Sequence, residues 1–64
     1  MDHPSNLTKY RRKRKLTISE LADLVGVAGA TICRYEKGER KMPVETAQVI
    51  AKALHVRWWW KLYD

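Results

Sequence analysis

Apolar residues recur along this chain at intervals of three and four, and capping residues, glycine and proline divide the pattern into short pieces. Leu7 and Tyr10 give the inward contacts of a first helix, predicted from about Asn6 to Arg14. Thr17-Ile18-Ser19-Glu20 then reads as a capping box, in which the Thr17 hydroxyl and the Glu20 carboxylate satisfy the open amides of a first turn. Leu21, Ala22 and Val25 follow at helical spacing, and Gly26 stands where the helix must stop and the backbone often needs a positive φ. After Val27 the pattern resumes with Ala28, Ile32 and Tyr35 until Gly38 ends it. Pro43 opens another helix, read at its first helical position, where a missing amide costs nothing. Val44, Ala47, Ile50, Ala51 and Leu54 form its apolar stripe, and Trp58-Trp59-Trp60, Leu62 and Tyr63 close the chain.

The reading is all-α: a mobile arm over Met1 to Ser5, then one domain from residue 6 to 64, with a helix, a glycine turn and a second helix at its centre. A domain of this size buries only about 60% of the surface its unfolded chain exposes, so a small apolar core must hold it together. The single Cys33 allows no intramolecular disulfide, and no Cys/His cluster has zinc-ligand spacing, so no metal or other cofactor is expected. Charged residues interrupt every apolar stretch, which excludes a membrane span or secretion signal and predicts a soluble, cytoplasmic protein.

Charge narrows the function. Thirteen Lys and Arg against seven Asp and Glu leave a net +6, a balance suited to nucleic acid. Its placement is uneven, with the run Arg11-Arg12-Lys13-Arg14-Lys15 near the start and Arg34, Lys37, Arg40 and Lys41 around the end of the second helix of the central pair. Five consecutive residues cover more than one helical turn, so the first run cannot face a single partner. The alternative is that these are ordinary solvated charges.

Leu21-Ala22, Gly26-Val27, Thr31-Ile32, Tyr35-Glu36-Lys37-Gly38, Pro43 and Ala53-Leu54 with Val56 together resemble the helix-turn-helix family of lambdoid phage Cro proteins and the amino-terminal domains of their repressors. The likeness covers roughly Leu7 to Leu62. It implies a lambda-repressor-like fold of five short helices and sequence-specific binding of double-stranded DNA as a homodimer on a palindromic operator. It also implies a buried ion pair between Arg11 and Glu36, for which the alternative is two independent surface charges.

The resemblance further implies that the second helix of the motif lies in the major groove with its amino-terminal residues near base edges. Ala28, Gly29, Ala30 and Arg34 take the base-reading positions, and Thr17, Thr31, Lys37, Arg40 and Lys41 are suited to phosphates. The chain departs from the family pattern at Ala28, Gly29 and Ala30, where relatives often have serine, threonine or glutamine. Small side chains cannot make those hydrogen bonds, although alanine methyls can touch a thymine methyl. That departure makes Arg34 the main candidate for direct readout. Ile18 also replaces a polar first-turn residue, and Cys33 reads as small-residue packing rather than a redox switch.

The resemblance aligns Trp60 with a core position of the last helix and sets Trp58 near it. Consecutive helical residues stand about 100° apart, so Trp59 is the ring expected to face out. Trp58 and Trp59 are accordingly expected to form a dimer interface, with membrane-interface anchoring as the alternative. His55 follows its helix where relatives often have glycine and is read as a helix-end residue; His3 lies in the arm. The expectation is a Cro-like repressor with no separate oligomerisation domain, and no carboxylate pair, Cys/His arrangement or phosphate loop suggests an enzyme. The competing reading is an antitoxin or other protein-interaction module using the same fold.

Overall fold

Where each helix starts and stops decides the shape of this domain. In the computed structural model, which describes residues 5–63, α1 spans Asn6–Lys13 and is capped by Ser5, whose hydroxyl accepts from the Thr8 amide at 3.1 Å. Ser5 is buried and belongs with the folded part rather than with the arm expected through it. Residues 1–4 of that arm, His3 among them, lie outside the described residues. The second helix, α2 (Ile18–Val25), begins with the capping box: Glu20 N donates to Thr17 Oγ1 at 3.0 Å, and Thr17 N donates to Glu20 Oε1 at 2.8 Å. Both open amides of the turn are thereby satisfied.

Next come α3 (Gly29–Lys37) and α4 (Val44–Ala53), neither of which has a side-chain cap. Ala28 is the N-cap of α3 and is exposed, so it is not part of the apolar face the spacing suggested. Pro43 likewise stands one place earlier than expected, as the N-cap of α4, where its carbonyl accepts from Ala47 N at 2.9 Å. Val44 is consequently the first helical residue, one turn ahead of Ala47, and remains 45% exposed instead of joining the core stripe.

Each α-helix is followed by a residue in the left-handed region: Lys15 (φ 58°), Gly26 (75°), Gly38 (74°) and His55 (58°). After α4, Val56 N reaches Ala51 O at 2.8 Å and His55 N reaches Lys52 O at 3.2 Å, the paired bonds of a Schellman stop. The same pair recurs after α1, from Leu16 N to Arg11 O and from Lys15 N to Arg12 O. These reversals let α2 pack on α3 and α4 while α1 packs on α3. Leu21, Ile32, Ala47 and Ile50 meet with no exposed surface, and Leu7, Leu54 and Leu62 close the core around them. Each large apolar side chain buried in this way contributes about 1.5–3 kcal/mol.

A single 3-10 turn, Trp59–Leu62, stands where a fifth α-helix was expected, and it packs on α1 and α4. With three residues per turn, positions i and i+3 eclipse, so Trp59 and Leu62 share the inward side. The tryptophan expectation therefore reverses. Trp59 packs against the core, whereas Trp58 (41%) and Trp60 (52%) are exposed. The chain end is tied down by Tyr63, whose hydroxyl donates to Met42 O at 2.6 Å and whose carbonyl accepts from Asn6 Nδ2 at 2.9 Å. Burial, and secondarily the neighbouring Tyr35, push the Tyr63 phenol above its usual pKa.

Candidate nucleic-acid interface

The inward residues of α3 determine what it can offer outward. Ile32 is fully buried and Tyr35 packs beside it, while Glu36 turns towards α1. There the Glu36 carboxylate receives Arg11 Nε at 2.6 Å and Arg11 Nη2 at 3.2 Å, with side-chain exposures of 11% for Arg11 and 9% for Glu36. Arg11 Nη1 also donates to Leu16 O at 2.8 Å, bracing the α1–α2 connection. The only carboxylate on α3 is thus neutralised on the core side, and the outer face keeps its positive charge.

That outer face consists of Ala30, Arg34 and Lys37, all exposed and within about 60° of one another around the helix axis. Thr31 and Cys33 flank it, half-buried. Ala28 and Ala30 are exposed and Gly29 half-buried, so the start of α3 offers little beyond methyls and backbone amides. A Cβ built on Gly29 would lie 3.8 Å from Ile18 Cγ2, an ordinary contact, which puts Ile18 beneath the start of α3. The Ile18 departure therefore provides packing at the turn. Beyond Gly38, Arg40 and Lys41 are exposed, as is Thr17 at the start of α2.

Residues 7–58 match the helix-turn-helix family. The chain belongs to this XRE-like helix-turn-helix family. Relatives include an HTH-type transcriptional regulatory protein of Methanothermobacter thermautotrophicus, 35% identical over 51 residues that cover 80% of this chain and 16% of the relative. The HTH-type transcriptional repressor RghR of Bacillus subtilis is 41% identical over 51 residues, covering 78% of this chain and 38% of RghR. The chain spans well under half the length of either. No solved structure matches it significantly. Both relatives carry the names of transcriptional regulators, not of enzymes.

Among the described residues, no helix is long and apolar enough to cross a membrane, and no cluster of three or more His, Cys, Asp or Glu could hold a metal. Sequence reasoning missed the shared surface of Lys9, Lys13 and Lys61, which line one groove with Tyr10. The spacing of Lys9 and Lys13 was a usable signal, because residues i and i+4 share a helix face; nothing local links either of them to Lys61.

Proposed function

We propose that this chain is a sequence-specific DNA-binding transcriptional regulator that lays α3 in the major groove. The observation that carries the reading is the outer stripe of Ala30, Arg34 and Lys37 on the second helix of a helix-turn-helix pair, with its one carboxylate turned inward onto Arg11. Arg34 reads a guanine through O6 and N7, a contact worth about 1–3 kcal/mol of discrimination. Ala28, Gly29 and Ala30 bring the helix close to the groove floor and touch thymine methyls. Thr17, Thr31, Lys37, Arg40 and Lys41 hold phosphates, which fix register without reading sequence. The Thr17 hydroxyl accepts from Glu20 N and keeps its own proton for a phosphate oxygen.

The regulator acts as a Cro-like repressor, two copies occupying a palindromic operator. Trp59 is committed to the core and is unavailable for the subunit contact, so the pair is held chiefly by consecutive half-sites about 34–36 Å apart. Selection of bound duplexes from a random pool tests this. A palindrome with half-site centres one helical turn apart is the expected result; enrichment of no sequence contradicts the reading.

A further inference from the structure

A second basic surface lies away from α3. Tyr10, Lys13, Arg14, Arg57, Trp58 and Lys61 line a groove of about 450 Å³ between α1 and the chain end, and it continues past Lys13 and Lys61 to Lys9. Among the described residues, no Asp or Glu lines either part, and the only ion pair is Arg11–Glu36. Like charges gathered without a counter-charge repel one another, so an anionic occupant gains from all of them at once.

Its position separates this surface from the proposed DNA face. Around the α1 axis, the groove residues Asn6, Lys9, Tyr10 and Lys13 centre about 150° from Arg11, the side chain that reaches α3. Arg11 meets α3 at Glu36, about 130° around the helix axis from the middle of the outer stripe of Arg34 and Lys37. A duplex seated on that stripe therefore faces another side of the molecule from the groove.

The aromatic groups narrow the occupant further. Trp58 stacks on Trp60 with centroids 5.0 Å apart and 21° between planes, and the Arg57 guanidinium lies 4.9 Å over the Trp58 ring. Trp58 (41%) and Trp60 (52%) still keep exposed ring surface, which contacts apolar side chains.

We propose that this groove docks an acidic protein segment, whose carboxylates meet Lys9, Lys13 and Lys61 and whose apolar side chain packs on the exposed Trp58–Trp60 stack. The placement of DNA on a face other than the groove rests on the proposed function, so the two are tested separately. The probe is a synthetic peptide of alternating Glu and Leu, titrated against the full chain while the indole N–H signals of Trp58 and Trp60 are followed by NMR. Both signals should shift. The double variant Lys13→Glu, Lys61→Glu should weaken peptide binding at least tenfold while holding duplex affinity within about threefold. Arg34→Glu with Lys37→Glu, an equal change in net charge, should keep the indole shifts and lose the duplex. Equal loss of peptide binding in both double variants would reduce the interaction to net charge and overturn the proposal. So would tighter binding of single-stranded oligothymidine than of the peptide at this groove. Failure of the parent protein to bind any duplex, with peptide binding intact, would overturn the DNA reading and leave the groove assignment standing.

Discussion

Arg11 and Glu36 form a two-pronged bridge from α1 to α3, with Nε–Oε2 at 2.6 Å and Nη2–Oε1 at 3.2 Å, and both side chains are largely shielded from water. The bridge orients the helix carrying Arg34 by fixing its opposite side to α1. Breaking a shielded pair from one end strands a charge at a cost of about 3–5 kcal/mol, whereas replacing both ends with apolar groups avoids that cost. Arg11→Met and Glu36→Leu should each lower the denaturant midpoint more than the double variant does. Additive losses in the three midpoints would contradict a coupled pair.

Ala28 begins α3 without a side-chain cap, so no hydroxyl meets the first-turn amides as a serine there would. Ala28→Ser should raise stability by about 0.5–2 kcal/mol, the usual range for an N-cap hydroxyl. Equilibrium urea unfolding checks this, and no gain would mean that the open amides are already satisfied by water.

His55 holds a left-handed conformation after α4, where an L-residue is strained by about 1–2 kcal/mol and glycine is not. Glycine gives back part of that gain through its greater freedom in the unfolded chain. His55→Gly should therefore stabilise the domain by up to about 1 kcal/mol, whereas Gly26→Ala should destabilise it. Thermal unfolding of the two variants should move in opposite directions.

These residues also indicate how far the sequence could be read. Thr17 with Glu20, and the glycines at 26 and 38, were legible because capping and left-handed stops leave chemical signatures in residue type. Lys15 was not, since lysine carries no such signature and the stop is revealed by its positive φ and the paired bonds to Arg11 O and Arg12 O. The resemblance located the Arg11–Glu36 pair, which joins residues too far apart for local spacing to link. Trp59 was misplaced because a 3.6-residue period was applied to a 3-10 turn, and the period alone decides which of three adjacent rings points inward. Val44 and Ala28 were assigned inward by spacing, yet both stand at helix starts, ahead of the turn that reaches the core. The exposure of Ala30, Arg34 and Lys37 on one side of α3 follows from helical spacing; the groove by Trp58 does not, because it joins α1 to the segment after α4.

Arg34 as base reader, with Arg40 and Lys41 as phosphate contacts, is the claim on which the account turns. The most direct measurement is the affinity of the parent, Arg34→Ala and Lys41→Ala proteins for a selected operator and its single-base variants at several salt concentrations. A phosphate contact releases counterions on any sequence, whereas a base contact distinguishes one pair from another. Arg34→Ala should flatten the preference at one base pair per half-site, losing about 1–3 kcal/mol of discrimination there. Lys41→Ala should weaken all sequences alike and lower the salt slope by about 1. An Arg34→Ala protein that keeps the full base preference of the parent would contradict the account.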